Sequence, residues 1–88
     1  MKKYSIELDR RAVKELQSIP LSDQAKVRER INRLSENPRP HGVEKVSGEQ
    51  KLYRVRQGDY RVVYSIFDQT LKVLVIRIGD RKEVYRKL

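Results

Sequence analysis

The chain has 88 residues and carries 21 Lys and Arg against 12 Asp and Glu, which gives a net charge of +9 at pH 7. This length fits one small domain, and the absence of cysteine excludes disulfides, thiol nucleophiles and thiolate zinc sites. No apolar run approaches a membrane span, and the N-terminus lacks the apolar stretch of a signal peptide, so we expect a cytoplasmic protein with no membrane partner. Such a positive excess favours a polyanion, above all nucleic acid, although solubility alone or an acidic protein partner would also account for it.

The first predicted elements are a short strand and a helix. Residues 4–8 alternate apolar and polar, which is typical of a strand with one side on the core. Asp9 is a suitable N-cap for a helix that continues through Ser18, and Pro20 ends it because the residue before a proline disfavours helical backbone. The residues expected to face the core are Tyr4, Ile6, Leu8, Val13 and Leu16, with Ala12 as a further candidate.

A second helix is predicted from Ser22, as its N-cap, to the residues before Asn37 and Pro38. An apolar stripe at helical spacing consists of Val27, Ile31 and Leu34. Beside it runs a basic stripe, which consists of Lys26, Arg30 and Arg33. A charged stripe of this kind is usually a solvated face, and the alternative is a surface that follows a polyanion. The two helices should form an antiparallel hairpin on one face of a sheet.

Residues 39–50 contain Pro40, Gly42 and Gly48 and show little periodicity, so they predict a loop. The only histidine of the chain, His41, lies in this loop. A lone loop histidine is a poor metal ligand, so we expect no metal site and no cofactor. We interpret His41 as a loop residue, with a contact to substrate as the minor alternative.

The next segment predicts a β-hairpin with a concentrated positive charge. Strands 52–56 and 60–67 flank Gly58 and Asp59, and glycine at the first position suits a two-residue type II′ turn. Alternation then assigns one face to Arg54, Arg56, Arg61, Val63 and Ser65. The opposite, core-facing side receives Tyr53, Val55, Val62, Tyr64 and Ile66. Like charges opposite each other destabilise a sheet, so the three arginines suggest an anionic ligand.

The last predicted strand covers residues 71–78, whose nearly continuous apolar character indicates a central strand covered on both faces. The length of the preceding loop decides on which face Arg77 lies, and the sequence leaves that register open. Gly79 and Asp80 are expected to break the strand before a short tail, residues 81–88, of one or two helical turns. The predicted fold is α+β: a single small β-α-α-β-β-β(-α) domain with a mainly antiparallel four-stranded sheet and a two-helix hairpin on one face.

The residue types present restrict the possible chemistry. The acidic residues are scattered, no glycine-rich phosphate loop follows a strand, and a serine triad lacks convincing parts. What remains is a set of guanidinium groups, which donate bidentately to phosphate, with tyrosines that can stack on bases. RNA carries its own nucleophile in the 2′-OH, so arginines could assist a metal-free cleavage by stabilising charge on the phosphorus oxygens. No small-molecule ligand is expected.

Two segments resemble those of a known family. They are Leu52-Tyr-Arg-Val-Arg-Gln-Gly-Asp-Tyr-Arg-Val-Val-Tyr64 and Ile76-Arg-Ile-Gly-Asp-Arg-Lys-Glu-Val-Tyr-Arg86. With the order of elements, they are similar to RelE toxins of the RelE/ParE superfamily of type II toxin–antitoxin systems, over essentially all of residues 1–88. The resemblance implies a ribosome-dependent endoribonuclease that cleaves messenger RNA in the ribosomal A site by 2′-OH attack, leaving 2′,3′-cyclic phosphate and 5′-OH ends. It also implies a RelB-like antitoxin as partner, besides the ribosome and messenger RNA.

The resemblance further implies roles for individual residues. Arg61 matches the family's phosphate-binding arginine, Arg81 the arginine that stabilises or protonates the leaving group, and Tyr85 the tyrosine that stacks on a nucleotide. The predicted catalytic residues are Arg54, Arg56, Arg61, Arg81 and Tyr85. The predicted RNA-binding residues are Lys51, Arg77, Lys26, Arg30 and Arg33. The alternatives are polar strand residues for Arg54 and Arg56, an ion pair with Asp59 or Asp80 for Arg61, and core packing for Tyr85.

Arg54 and Arg56 depart from the family pattern, because well-known members have lysines there. The lysine matched by Arg56 is a proposed general base, and arginine stays protonated, so Arg56 would stabilise charge instead. Tyr85, Glu83 or a water remain as candidate bases. Two other functions stay open on the same scaffold: a ParE-like toxin that poisons DNA gyrase without RNA cleavage, and a non-toxic member that only binds nucleic acid or its antitoxin.

Overall fold

The computed structural model describes residues 3–47 and 52–80. Its elements are β1 (Ser5–Leu8), α1 (Arg10–Gln17), α2 (Leu21–Arg33), β2 (Glu44–Ser47), β3 (Leu52–Gln57), β4 (Tyr60–Phe67) and β5 (Lys72–Asp80). The strands form one sheet in the order β1-β5-β4-β3-β2, in which β1 and β5 run parallel and the other neighbours antiparallel. The predicted α+β class is confirmed. The sheet of the described residues has five strands instead of four, because β2 forms where the pattern predicts a loop.

The first helix is capped as predicted. The Asp9 carboxylate accepts a hydrogen bond from the backbone N–H of Arg11, 3.2 Å from Oδ2, which satisfies one of the free donors at the start of α1. Ala12 and Leu16, four positions apart, are buried. The predicted core position of Val13 is wrong, because this residue lies one step further round the helix and its side chain is exposed.

The second helix begins at Leu21, so the predicted N-cap at Ser22 is wrong. Pro20 occupies the N-cap position, where its carbonyl accepts the backbone N–H of Gln24 at 2.8 Å. Proline has no N–H of its own at this position, but it also has no side-chain acceptor for the donors of the first helical turn, so this helix starts without a side-chain cap. The predicted apolar stripe is confirmed as buried, and it consists of Val27, Ile31 and Leu34. Neither helix in the two described ranges is long and apolar enough to cross a membrane.

The β3–β4 hairpin has the predicted register, with Gln57 opposite Tyr60 on either side of a two-residue loop. Gly58 has a φ of +61° whereas Asp59 has none in the positive range, as a type II′ turn requires. The predicted core-facing side packs against the helices, where Val55, Val62 and Tyr64 are buried. The buried Tyr64 hydroxyl donates to the Pro38 carbonyl at 2.6 Å, which ties β4 to the chain after α2.

The last strand is internal, as predicted, but it is longer than predicted. β5 lies between β1 and β4 and continues through Asp80. The expected break at Gly79 is wrong, because Gly79 pairs with Arg61 on β4 and Asp80 pairs with Tyr60. Glycine weakens a strand because it has no side chain to pack, but it keeps the backbone groups that pair with a neighbouring strand, and Gly79 lies opposite Arg61.

A β-bulge decides the register that the sequence leaves open. Phe67 pairs with Lys72 across a four-residue connection, and further along Tyr64 pairs with Val75 but Val63 pairs with Arg77. The extra residue, Ile76, packs on the sheet face away from the helices. There it belongs to a small second apolar cluster, which consists of Leu52, Val63, Val46 and Ile76.

Candidate nucleic-acid interface

The sheet face opposite the helices carries the three hairpin arginines. Arg56 lies directly opposite Arg61, and Arg54 pairs with Val63 two positions along. Directly opposite residues of an antiparallel ladder have Cβ atoms about 4.5–5.5 Å apart. The side chains of Arg56 and Arg61 therefore extend from neighbouring backbone positions close to the turn. An anion that contacts this end of the hairpin would relieve their mutual repulsion. We call this pair and Arg54 the arginine face.

Arg54 differs from the other two because β2 supplies a counter-charge. Glu44 is directly opposite Arg54 in the sheet, and its Oε1 accepts from Arg54 Nε at 3.2 Å and from Nη2 at 2.8 Å. Only 12% of the Arg54 side chain is exposed. Sequence reasoning missed Glu44, because the single apolar residue of β2, Val46, gives too weak an alternation to predict a strand. Arg54 is therefore partly neutralised.

Arg61 has the most enclosed position of the three. It lies on β4, between Arg56 on β3 and Gly79 on β5, and only 3% of the residue is exposed. Arg56, by contrast, is exposed on its strand. Neighbours on both sides restrict the rotamers of Arg61, whereas the exposed Arg56 side chain can adapt to a ligand. The role of phosphate ligand stays a prediction for Arg61.

Arg77 forms an ion pair with Glu15 on α1. Its guanidinium donates to Glu15 Oε2 from Nε at 3.1 Å and from Nη2 at 2.9 Å. Only 8% of the Arg77 side chain and 21% of the Glu15 side chain are exposed. This position leaves little guanidinium surface for the predicted RNA contact. Sequence reasoning had no signal for the pair, because the two residues lie 62 positions apart.

The basic stripe of α2 lies on the other side of the sheet. Lys26 and Arg33 are exposed, and Arg33 donates to Glu29, one turn earlier, at 2.6 Å. Arg30 is half-buried, and its charge acts on the Tyr64 hydroxyl. Lys26 also lines a cavity of about 140 Å³ beside the hairpin turn, whose other lining residues are Asp23, Gln57, Gly58, Asp59 and Tyr60. Lys26 thus lies beside the turn that connects the strands carrying Arg56 and Arg61.

The two tyrosines of β4, Tyr60 and Tyr64, are poor candidates for a general base. Burial raises the pKa of Tyr64 well above its usual range, against the smaller opposing effect of Arg30 and Arg39. Burial and the charge of Asp23, which accepts from the Tyr60 hydroxyl at 3.4 Å, raise the pKa of Tyr60. Both phenols are therefore protonated at neutral pH. Within residues 3–47 and 52–80, no three His, Asp or Glu side chains cluster as metal ligands.

Three predicted site residues lie outside the described residues: Lys51, Arg81 and Tyr85. The predicted helical turns of the tail lie there as well. Arg81 directly follows Asp80, the last residue of β5, whose neighbour Gly79 pairs with Arg61. The described part of the chain therefore ends beside the arginine face, and the roles of these three residues remain predictions.

Comparison with known proteins places the chain in a family. The sequence model described as "ParE toxin of type II toxin-antitoxin system, parDE" matches residues 6–85. A putative toxin RelE1 of Methanocaldococcus jannaschii is 30% identical over 87 residues, which cover 96% of this chain and 97% of the relative. The mRNA interferase toxin RelE of Escherichia coli is 30% identical over 86 residues, which cover 93% of this chain and 90% of the relative.

The fold agrees with that of a solved toxin. A chain of the archaeal RelE–RelB complex from Pyrococcus horikoshii superposes with a TM-score of 0.80 at 31% identity, covering 90% of this chain and 96% of that one. The match includes both the helix pair and the sheet that carries the arginine face, since it spans nearly all of each chain. The chain therefore belongs to the RelE/ParE superfamily of toxins from type II toxin–antitoxin systems.

Proposed function

We propose that residues 1–88 form a RelE-like toxin domain that cleaves messenger RNA in the A site of translating ribosomes, in the cytoplasm, and thereby inhibits translation. The observation that carries the proposal is the arginine face, where Arg56 and Arg61 stand opposite each other. The names of the relatives support it, since one of them is an mRNA interferase toxin. The net charge of +9 favours association with a polyanion such as the ribosome.

The proposed reaction uses a nucleophile that the substrate contains. The ribose 2′-oxygen attacks the adjacent phosphorus and loses its proton, the bond from phosphorus to the 5′-oxygen breaks, and that oxygen takes up a proton. The products are a 2′,3′-cyclic phosphate and a 5′-OH end. Negative charge that builds on the non-bridging oxygens is stabilised by fixed cations, and no metal ion takes part in the proposed step.

The structure supports different roles for the hairpin arginines in this reaction. Arg61, enclosed and held in the middle of the sheet, suits a fixed phosphate ligand, and exposed Arg56 suits a second contact. Arg54 shares its charge with Glu44, so we assign it a supporting role on β3. Arg81 would stabilise or protonate the leaving oxygen, and Tyr85 would stack on the nucleotide. None of the arginines can act as the base, because guanidinium stays protonated.

Mapping of cleavage on ribosome-bound messenger RNA by primer extension tests the proposal. Arg61→Ala and Arg81→Ala should each reduce the cleavage rate by about 10²–10³-fold, which is the usual effect of removing one group that stabilises transition-state charge. Arg10→Ala is the matched control, since it removes the same charge from an exposed position at the start of α1. This control should cleave at the wild-type rate, and circular dichroism should show folded protein for all three variants. Full activity of both Arg61→Ala and Arg81→Ala would overturn the site assignment.

A cognate antitoxin is the second partner that we propose. The Pyrococcus horikoshii toxin was solved as a complex with RelB, and a RelB-like protein would bind this chain in the same type of system. Co-expression with the product of the neighbouring reading frame should restore growth if that product is the antitoxin. Failure of every adjacent small reading frame to restore growth would contradict a cognate pair encoded together.

A ParE-like action is the alternative, and the family model named after ParE favours it. Such a protein would inhibit DNA gyrase without cleaving RNA. An in vitro supercoiling assay separates the two functions, because only the alternative predicts inhibition by the purified protein. Expression that does not slow growth would favour a non-toxic member.

A further inference from the structure

The outer edge of β5 loses its strand partner halfway along. β1 pairs with β5 only as far as Leu8 and Val75. The Asp9 backbone N–H then donates to the Val75 carbonyl at 2.8 Å, and the chain turns away into α1. From Ile76 to Asp80, β5 therefore continues with β4 as its only strand partner among the described residues.

The Glu15 side chain replaces the missing strand. Its Oε1 accepts the backbone N–H of Ile78 at 2.8 Å, as a neighbouring strand carbonyl would. The same carboxylate binds the Arg77 guanidinium, and Arg11 lies one helical turn before it with Nε 3.9 Å from Oε2. A charged acceptor makes stronger hydrogen bonds than a neutral carbonyl, so Glu15 fixes this part of β5 to α1.

The contact between Glu15 and Ile78 lies next to the β5 residue that pairs with Arg61 of the arginine face. Arg77 and Ile78 directly follow the bulge residue Ile76, and Ile78 is followed by Gly79, the partner of Arg61. A shift of one residue would move every later β5 side chain to the other face of the sheet and would pair another residue with Arg61. Bulges occur next to active sites because they re-aim the residues that follow.

We infer that Glu15 and Arg77 are positioning residues for the proposed cleavage, which act by holding the end of β5 in register beside Arg61. The inference rests on the proposed function, in which Arg61 binds the phosphate and the residues that follow Asp80 in the sequence, Arg81 and Tyr85, act on the substrate. Neither Glu15 nor Arg77 touches the RNA in this proposal. They hold the last described residues of β5, which pair with Arg61 and Tyr60 on β4 and precede the proposed leaving-group and stacking residues in the sequence.

The test compares the substitutions Glu15→Ala, Glu15→Gln and Glu29→Gln. Glu29→Gln is the matched control, since Glu29 also pairs with an arginine on its own helix but lies far from β5 on the exposed face of α2. Single-turnover cleavage of ribosome-bound message is measured over a range of protein concentrations. Hydrogen exchange of the Ile78 amide, followed by NMR, reports on the contact itself, and the chemical shifts of Gly79 and Arg61 report on the register.

Glu15→Ala should lower the saturating cleavage rate by about 100-fold, the size of effect expected when reacting groups are misplaced by about 1 Å, while the half-saturating concentration changes less than about 2-fold. The Ile78 amide should lose its protection. Glu15→Gln keeps an oxygen that can accept from Ile78 but loses the charge that binds Arg77, so it should give an intermediate rate. Glu29→Gln should match the wild type in the saturating cleavage rate, the protection of the Ile78 amide and the chemical shifts of Gly79 and Arg61, and any change should be confined to the half-saturating concentration, because the substitution releases Arg33.

The outcomes separate this inference from the proposed function. If the wild type does not cleave ribosome-bound message, the proposed function fails and this inference fails with it. If the wild type cleaves and folded Glu15→Ala cleaves at the same saturating rate, only the positioning role is overturned. A loss that appears only as a smaller folded fraction, with an unchanged rate constant for the folded molecules, would also overturn it, since that is the result of a purely structural role.

Discussion

Three arginines on one sheet face differ in what surrounds each of them. Arg54 faces a carboxylate on β2, Arg56 faces solvent, and Arg61 is enclosed between two strands. The difference comes from strand pairing, because β4 has β3 and β5 on either side at Arg61, whereas the short β2 pairs with β3 as far as Arg54 and does not reach Arg56. Residue type alone therefore does not assign a role here, and the enclosed position of Arg61 is what supports its proposed role as the phosphate ligand.

Tyr64 on β4 has a buried hydroxyl whose contribution to stability can be measured. Tyr64→Phe removes the hydrogen bond to the Pro38 carbonyl and should lower the free energy of unfolding by about 1–2 kcal/mol, because the buried acceptor is left unsatisfied. Urea denaturation monitored by circular dichroism measures this at pH 8. A loss below about 0.3 kcal/mol would mean that the hydrogen bond adds nothing net to stability.

The same substitution predicts a pH dependence. Burial raises the pKa of Tyr64 in the folded protein, so its neutral form contributes stability in full below the unfolded value near 10, and this contribution is lost as the pH rises through the folded pKa. The wild type should therefore lose stability relative to Tyr64→Phe by about 1 kcal/mol between pH 9 and 11. Taking the difference between the two proteins cancels the titration of all other groups. A constant difference over this range would contradict a raised pKa.

For the individual helices and strands, the sequence predicts local structure well and long-range contacts poorly. The hairpin register follows from Gly58 and strict alternation, and the α2 stripe follows from helical spacing, so both are correct. The bulge at Ile76 is not predictable in the same way, because Glu15 on a distant helix holds the residues that follow it. β2 is missed because it lies at the edge of the sheet and pairs with β3 alone, and such a strand needs few apolar residues.

The turn of the β3–β4 hairpin depends on the backbone conformation of Gly58. Gly58 has a φ of +61°, and a Cβ added there would meet no atom within 4 Å, so an alanine would suffer backbone strain without a steric clash. Gly58→Ala should therefore lower the free energy of unfolding by about 1 kcal/mol. Asp59→Ala, at the adjacent turn position without a positive φ, is the control and should cost less. Equal losses for the two variants would argue against a type II′ turn.

Among the described residues, the predicted RNA contacts of the hairpin and of α2 lie on two sides of the sheet. The arginine face lies on one side, and the α2 residues Lys26, Arg30 and Arg33 lie on the side that carries the helices. One flat polyanion cannot contact both at once. A folded RNA that surrounds the protein, as in the proposed ribosomal complex, would contact both, and Lys26 beside the hairpin turn would connect them.

Salt dependence of RNA binding tests whether the helix side takes part. Lys26→Ala should make the plot of log affinity against log salt concentration shallower by about 0.7, the value for one lost phosphate contact on single-stranded RNA. Arg33→Ala should have a smaller effect, because Glu29 already binds Arg33 at 2.6 Å. Fluorescence anisotropy with a labelled RNA oligonucleotide measures both slopes. Slopes equal to the wild type for both variants would mean that this stripe is only a solvated surface.

The parallel pairing of β1 with β5 has a consequence for how the chain folds. Ser5 pairs with Lys72, so the two partners are separated by 72 − 5 = 67 positions, and the chain between them contributes all the other described elements. Contacts of such long sequence separation form slowly, because the entropy of closing the chain is lost before the pairing gains anything. During synthesis, β1 must wait unpaired until β5 has been made. A protein that we propose to arrest translation can therefore complete its sheet only after β5 has emerged from the ribosome that makes it.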